Sequence, residues 1–131
     1  MTPRIDVIGL VVADMGKALA FYRMLGMDVP AEADDQPHVE HALPGGLRLA
    51  FDTHDTIRSF DPSFTPAAGG STSLAFACDS PAEVDATYAG LVAAGYEGHL
   101  EPWDAFWGQR YASVRDPDGN GVDLFAGLPP G

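Results

Sequence analysis

Positively charged residues are scarce in this sequence. Its 131 residues include 19 Asp and Glu but only 7 Lys and Arg, Lys17 being the single lysine, and the formal net charge is −12 at pH 7. A surface of this charge repels the phosphates of nucleic acids and the anionic headgroups of membranes. We therefore expect no nucleic-acid partner and no membrane partner, whereas a neutral or cationic small molecule is compatible with the charge.

Cysteine and long apolar runs are scarce as well. Cys78 is the only cysteine, which excludes a framework of disulfides within the chain. No apolar run approaches the roughly 20 residues of a membrane-spanning helix, and residues 1–7, MTPRIDV, lack the apolar region of a signal peptide. These absences predict a cytoplasmic protein. The 46% apolar and 20% charged residues that are present predict a globular chain with its own core.

The two halves of the sequence resemble each other. Each contains an apolar run, an aspartate, an amphipathic stretch, a glycine and a second short extended run. Asp14 and Asp79 are separated by about half of the chain, as are Gly26 and Gly95. This spacing indicates an internal duplication.

Each half is predicted to contain one amphipathic helix. In the first, Asp14 caps the helix and Gly26 ends it. In the second, residues 80–83, SPAE, form a capping box with proline at the first helical position, and Gly95 ends the helix. The apolar stripes at helical spacing are Met15, Ala18, Tyr22 and Leu25 in the first helix and Val84, Tyr88 and Leu91 in the second.

After each helix the alternation of apolar residues predicts three strands. They are placed near 27–30, 38–43 and 47–53 in the first half and near 97–101, 109–115 and 121–126 in the second. Turns are predicted at Gly45-Gly46 and at 116–120, DPDGN. Each half is thus a βαβββ module within a single domain, 1–131. The first module covers about 1–56, a linker about 57–70, and the second module about 71–131.

Two stretches carry a resemblance to a known family. VVADMGKALAFYRMLGM, residues 11–27, is similar to the first helix of the vicinal oxygen chelate superfamily, and RYASVRDPDGNGVDLF, residues 110–125, is similar to its last hairpin. This superfamily includes glyoxalase I, extradiol dioxygenases, fosfomycin-resistance enzymes and bleomycin-resistance proteins. The resemblance implies an α+β fold in which two tandem βαβββ modules form a curved mixed sheet, a cup, in a dimeric protein.

The enzymes of that superfamily hold a metal ion with about four side chains that line the cup. The matching positions in this sequence are Val7, Ser73, Arg48 or Ala50, and Asp123. A single carboxylate cannot hold a catalytic divalent ion, which needs about three protein ligands. The resemblance therefore predicts no metal, no cofactor and no catalytic residues. The segment 38–41, HVEH, is no substitute, because its histidines are spaced for a helix face but lie in a predicted strand.

A more detailed resemblance is to the mitomycin-binding resistance proteins of this superfamily. It is carried by the stretches PAEADDQPHVE, GGLRLAFDT, IRSFDP, YEGHLEPW and WGQRYASVRDPDGNGVDLFA. It implies a homodimer with ligand sites between the subunits, where a planar drug is stacked between His38 and Trp107. The segment 102–111, PWDAFWGQRY, is predicted to be a loop that reaches the ligand.

The expected ligand-binding site extends beyond that stacking pair. Phe51, Phe60 and Tyr111 are expected to form apolar walls, and Asp52 to accept a hydrogen bond from a ring amine or hydroxyl. Gln109 and Arg110 are candidates for orienting the ligand. The complete expected set is His38, Phe51, Asp52, Phe60, Trp103, Phe106, Trp107 and Tyr111.

The predicted function is antibiotic resistance without catalysis, by sequestration of a planar aromatic drug that is mitomycin-like or anthraquinone- or enediyne-like. Three alternatives stay open. One is a diverged glyoxalase- or dioxygenase-like enzyme. Another is a binder of bleomycin-like glycopeptides, which the acidic run 31–35 would favour through its charge. The third is a binding protein for an unrelated metabolite, for which the same aromatic pocket would serve. Packing in a core or dimer interface is the simpler explanation for any one of the aromatic residues.

Overall fold

Each half of the chain begins with the same order of elements: a strand, a long helix and two further strands. The computed structural model describes residues 2–67, 69 and 72–130. By the contacts between residues the chain divides into two compact units, Met1–Ala67 and Ala68–Gly131. Each unit combines helices with one sheet. Among the described residues no helix has the length and apolar character needed to span a membrane.

The first unit has a three-stranded sheet in the order β1-β3-β2. Strand β1 is parallel to β3, and β2 is antiparallel to β3. The elements are β1 (Val7–Val12), α1 (Met15–Met24), a 3-10 helix (Ala31–Asp35), β2 (His38–Ala42), β3 (Arg48–Thr53) and α2 (His54–Arg58).

The second unit has a four-stranded sheet in the order β4-β7-β6-β5. Strand β4 is parallel to β7, while β5 and β6, and β6 and β7, are antiparallel pairs. The elements are β4 (Ser73–Ala77), α3 (Pro81–Ala93), β5 (Gly98–Ala105), β6 (Gln109–Arg115) and β7 (Gly121–Gly127).

In each unit a helix buries its apolar stripe against one face of the sheet. In the first unit the rings of Tyr22 on α1 and Phe51 on β3 are both fully buried, with centroids 5.5 Å apart. In the second unit, α3 buries Val84 and Leu91. The strand residues buried there are Ala112, Val114, Val122 and Leu124. We call the sheet face that carries no helix the open face of its unit.

The two long helices begin and end as the sequence predicts. Asp14 Oδ1 accepts a hydrogen bond from the backbone N–H of Lys17 at 2.9 Å, and Ser80 Oγ accepts one from Glu83 N–H at 3.2 Å. Both helices end at a glycine with positive φ, 91° at Gly26 and 98° at Gly95. These angles are favourable for glycine and strained for other residues.

Both predicted turns are also present. Gly45 and Gly46 have φ of 89° and 92° between β2 and β3. Between β6 and β7, the Asp116 carboxylate accepts hydrogen bonds from the backbone of Asp118 and Asn120, each at 2.9 Å. Each turn joins the antiparallel strands that the sequence places around it.

The strand predicted near 27–30 is wrong. Met27 and Val29 are buried alternately, as in a strand, but their segment pairs with no other. The carbonyls of Val29 and Pro30 instead accept hydrogen bonds from the Arg23 guanidinium, both at 2.8 Å. Pro30 also lacks the N–H that a sheet ladder requires. In the structure the first unit is therefore βαββ.

Two further boundaries differ from the prediction. Helix α2 spans the expected boundary between the first module and the linker, and Thr53 Oγ1 caps it by accepting a hydrogen bond from Thr56 N–H at 3.2 Å. Strand β5 extends to Ala105, so Trp103 lies in a strand and not in a loop. The pairing of β5 with β6 is irregular between Leu100 and Trp103, which accommodates Pro102 within the strand.

Candidate functional site

The open face of the second unit carries a row of large side chains. Trp103 on β5 lies opposite Tyr111 on β6, and Tyr111 lies opposite Phe125 on β7. Directly opposed residues point to the same face of a sheet, and successive residues of a strand point to opposite faces. Arg110 accordingly points to the helix side, where its Nε donates to Asp85 Oδ1 on α3 at 2.9 Å. It is therefore not an orienting residue on the open face.

Four aromatic side chains meet at the end of the β5–β6 hairpin, and we call them the aromatic cluster: Trp103, Phe106, Trp107 and Tyr111. The Trp107 ring contacts the other three edge to face, with centroid distances of 5.4 Å to Trp103, 4.9 Å to Phe106 and 5.3 Å to Tyr111. The interplanar angles are 88°, 86° and 77°. The structure thus brings together the four expected site residues of the second unit.

Much of the aromatic cluster is exposed. Trp103 is 39% exposed, Trp107 47% and Phe106 91%. The Trp107 indole N–H donates to Gln109 Oε1 at 2.8 Å, which fixes the orientation of the ring. Edge-to-face contacts suit the quadrupoles of the rings and stabilise the arrangement without burying it. Exposed and oriented rings of this kind are unusual in a core and typical of a binding surface.

A polar pocket of about 270 Å³ adjoins the aromatic cluster. Tyr111 belongs to both, and burial together with a hydrogen bond to Asp123 raises its pKa to about 12. Ser73 Oγ donates to Asp123 Oδ2 at 3.4 Å. The remaining lining residues are Thr72, His99, Leu100, Ser113, Arg115 and Gly121.

The open face of the first unit is charged. A continuous line of polar contacts crosses it, from Asp6 through Arg48, Glu40 and His38 to Asp52, and we call it the charge chain. Arg48 contacts Asp6 at 2.7 Å and also pairs with Glu40. His38 Nε2 lies 2.8 Å from Glu40 Oε2, and His38 Nδ1 lies 2.6 Å from Asp52 Oδ1. The structure thus brings together two expected site residues, His38 and Asp52.

The two carboxylates set the charge of His38. Hydrogen bonds to Glu40 and then to Asp52 raise the pKa of His38 above its ordinary value. Both ring nitrogens donate when the ring is protonated, which matches a carboxylate oxygen at each nitrogen. These bonds hold the ring by its edge, and the side chain is 45% exposed. The result is a flat ring of fixed orientation whose protonated form is favoured by the two carboxylates.

Phe51 and Phe60 are placed differently from the other expected residues. Phe51 lies on the helix-covered face of the first sheet, fully buried against Tyr22, so its ring is part of the core and not of a ligand wall. It is adjacent in sequence to Asp52, which points to the open face because successive strand residues point to opposite faces. Phe60 lies just after α2 and is 71% exposed.

A second cavity, of about 690 Å³, lies in the first unit, and its lining includes four aspartates among neutral residues. Several of these have structural roles: Asp14 caps α1, and Asp34 forms an ion pair with Arg23 at 2.7 Å. Across the described residues, no group of three or more His, Cys, Asp or Glu side chains is arranged to hold a metal ion.

The positions at which related enzymes bind a metal do not fit one here. Val7 carries no donor atom and lies opposite Arg48 on β3. Asp123 offers a carboxylate, but Ser73 is a weak ligand for a divalent ion and already donates to that carboxylate. This donor set does not match the three or four ligands that such an ion requires.

The class of protein is indicated by two α+β units that share the order strand, helix, strand, strand and that each have one open sheet face. The sequence profile of the glyoxalase/bleomycin resistance protein/dioxygenase superfamily matches residues 4–124. The chain therefore belongs to this superfamily, which is the vicinal oxygen chelate superfamily that the sequence resembles.

Solved structures share the fold over nearly the whole chain. A glyoxalase/bleomycin resistance protein/dioxygenase from Nocardioides is 27% identical with a TM-score of 0.71, covering 100% of this chain and 87% of that one. A family enzyme from Burkholderia phytofirmans PsJN has a TM-score of 0.81 at 19% identity, covering 96% and 100%. A glyoxalase-related enzyme from Fulvimarina pelagi has a TM-score of 0.77 at 22% identity, covering 95% and 88%. No curated protein matches the chain significantly.

Proposed function

We propose that this protein binds a planar aromatic antibiotic, mitomycin-like or anthraquinone- or enediyne-like, and confers resistance by sequestering it. The observation that carries the proposal is the aromatic cluster. Its central ring, Trp107, is 47% exposed and is held in place by three neighbouring rings and by Gln109. The resemblance of the sequence to mitomycin-binding resistance proteins supports the choice of ligand class.

The physical basis is the stacking of a flat ligand on flat side chains. An electron-poor quinone gains offset stacking with an indole, worth about 0.5–1.5 kcal/mol per aromatic pair beyond the burial of area. The exposed apolar surface of Trp103, Phe106 and Trp107 leaves water at the same time. Because Trp107 is already oriented, little side-chain entropy is lost when the ligand binds.

His38 is the second stacking side chain in this proposal. The carboxylates of Glu40 and Asp52 contact its edges, so the flat faces of the ring remain suited to a planar ligand. Asp52 has further lone pairs, and a ring amine or hydroxyl of the ligand can donate to them. His38 and Asp52 would thus act together as a rigid polar counterpart to the aromatic cluster.

Sequestration requires no bond to be made or broken. The bound drug is kept from its target in proportion to the amount of protein, so resistance depends on affinity and concentration. We also propose a homodimer with ligand sites between the subunits, following the resemblance. Sedimentation-velocity measurements test this directly, since a monomer at working concentrations would contradict it.

A fluorescence titration tests the proposal. Metal-free protein is titrated with mitomycin C and, in parallel, with an anthraquinone, and the quenching of tryptophan emission is recorded. We expect saturable quenching near one ligand per subunit and at least tenfold weaker binding in Trp107→Ala. The matched control is Val92→Ala, which removes an exposed apolar side chain from α3, on the other face of the same sheet.

The fate of the ligand separates sequestration from catalysis. Chromatography of ligand released from the complex should recover it unchanged and in full. Conversion of the ligand, or activity that depends on added divalent metal, would favour the enzyme alternative. Saturable binding of bleomycin without binding of either planar ligand would favour the glycopeptide alternative.

A further inference from the structure

The polar pocket of the second unit continues the surface of the aromatic cluster. Tyr111 contributes its ring to the cluster, 5.3 Å from Trp107, and also lines the pocket. Ser113, two residues further along β6, points to the same open face and lies opposite Asp123 on β7. A ligand stacked on the cluster would therefore have a polar cavity beside it.

Asp123 is the principal hydrogen-bond acceptor of the pocket. Its carboxylate accepts a hydrogen bond from the Ser73 hydroxyl at 3.4 Å. It also interacts with the Tyr111 hydroxyl, which contributes to the raised pKa of Tyr111. A carboxylate has about four lone-pair sites, so two donors leave room for a third. Both protein donors hold the carboxylate in place without neutralising its charge.

Among the described residues, no Lys or Arg side chain forms an ion pair with the Asp123 carboxylate. Arg115 lines the same pocket, but its Nε pairs with Glu97 Oε2 at 3.3 Å and its other nitrogens contact Gly119 O at 3.5 Å and His99 Nδ1 at 3.4 Å. A donor with a positive charge would be the best complement to the Asp123 carboxylate.

The size of the pocket limits what it can hold. Drug-sized ligands occupy pockets of about 300–1,000 Å³. At about 270 Å³ this cavity lies at the lower end of that range, and it has room for a polar substituent of the ligand. The rings of the ligand would remain on the aromatic cluster.

We propose that the pocket binds an amino substituent of the planar ligand as its ammonium form, with Asp123 accepting the hydrogen bond and Ser73 and Tyr111 positioning the carboxylate. This inference rests on the proposed function and adds to it a ligand class: planar aromatic compounds with a short aminoalkyl group. A position where related enzymes place a metal ligand would then recognise an organic cation.

Matched ligands on one ring system test the inference. The probes are 2-(aminomethyl)anthraquinone, 2-(hydroxymethyl)anthraquinone and 2-methylanthraquinone, titrated calorimetrically into the full-length protein. We expect the amine to bind about tenfold more tightly than the methyl compound, as for a charge-assisted hydrogen bond, with the alcohol in between. Raising the salt concentration should reduce the advantage of the amine.

Two variants test whether the preference for the amine over the methyl compound arises from the pocket. Asp123→Asn keeps the shape of the side chain and removes its charge, and it should reduce the amine preference to less than twofold while binding of the methyl compound stays unchanged. Ser73→Ala should reduce the preference two- to threefold. Val92→Ala should leave it intact, and thermal unfolding of each variant verifies that it is folded.

The outcomes separate the two proposals. If all three probes bind equally and Asp123→Asn changes nothing, the pocket inference is wrong while stacking on the aromatic cluster stands. If none of the probes binds the wild-type protein, the proposed function and the pocket inference are both wrong. A preference for the amine that persists in Asp123→Asn would also overturn the inference, since another group would then recognise the ammonium.

Discussion

The two units share one plan, but their open faces differ in chemistry. The first presents the charge chain, in which five charged or titratable side chains contact one another in a line. The second presents the aromatic cluster and a polar pocket. Polar side chains of the first face are held by one another, whereas those of the second leave surface for a partner. The second face is therefore the better primary binding surface.

The difference is confined to one side of each sheet. Val7 and Ser73 each begin the first strand of their unit, and they lie opposite Arg48 and Gly121 respectively. By the same register, Ala50 corresponds to Asp123 and Asp52 to Phe125. On the helix-covered side, Leu49 corresponds to Val122 and Phe51 to Leu124, and all of these are buried and apolar. Core packing constrains the covered positions, while the open positions are free to differ.

The largest effect on the free energy of unfolding is expected at a position on the helix-covered face of a sheet. Phe51→Ala removes a fully buried ring and should reduce the free energy of unfolding by about 3–5 kcal/mol. Phe106→Ala, at a side chain 91% exposed, should change it by less than about 0.5 kcal/mol. Urea unfolding followed by circular dichroism measures both. If Phe51→Ala had a small effect on stability and a large effect on ligand affinity, Phe51 would belong to the binding site and not to the core.

An intermediate effect on the free energy of unfolding is expected at the helix caps, a feature that the two units share. Asp14→Ala and Ser80→Ala each remove the cap of the long helix in their unit and should each reduce the free energy of unfolding by about 1 kcal/mol. Asp14→Asn and Ser80→Thr retain a capping oxygen and serve as controls. Similar losses in the two units would support the duplicated scaffold. A loss in only one would show that the caps have diverged along with the open faces.

The smallest effect on stability is expected from His38 in the charge chain. The pKa of His38 is raised, so its contribution to stability is complete below its unfolded value of about 6.5 and is lost as the pH rises through its folded value. Proton NMR of the His38 ring should show a pKa above 6.5, lowered by Glu40→Gln and to a lesser extent by Asp52→Asn.

Stability measurements provide the control for this titration. The difference in unfolding free energy between the wild-type protein and His38→Gln should be largest near pH 6 and should shrink towards pH 9. A difference that grows with pH would have the wrong sign and would show that His38 is not held as a cation.

The scaffold could be predicted from sequence because its signals are local. A cap at Asp14 and a positive φ at Gly26 depend on residues within one turn of the helix, and both are confirmed. The segment 27–30 has the alternation of a strand, but Arg23 takes the carbonyls of Val29 and Pro30. That competition depends on a side chain six and seven residues earlier in the chain and is not visible in the alternation. Helix α2 did have a local signal, a threonine cap at Thr53 followed by Asp55.

The site was predictable to a smaller extent. The cluster around Trp107 follows from aromatic residues close together in sequence. The charge chain does not, because Asp6 and Arg48 are brought together only by the pairing of β1 with β3. The pocket had a weaker signal: alternation in 110–115, RYASVR, places Tyr111, Ser113 and Arg115 on one face. Its acceptor, Asp123, is supplied by a different strand.

One measurement tests the central claim, that planar ligands bind the aromatic face of the second unit. Nitrogen–proton correlation spectra of the labelled protein are recorded during titration with mitomycin C, and Trp103→Phe assigns the two indole signals. The account predicts saturable shifts of the Trp107 indole and of the amides of 103–111, with α3 unaffected. Saturable shifts that leave the Trp107 indole unchanged, or the absence of any saturable shift, would contradict it.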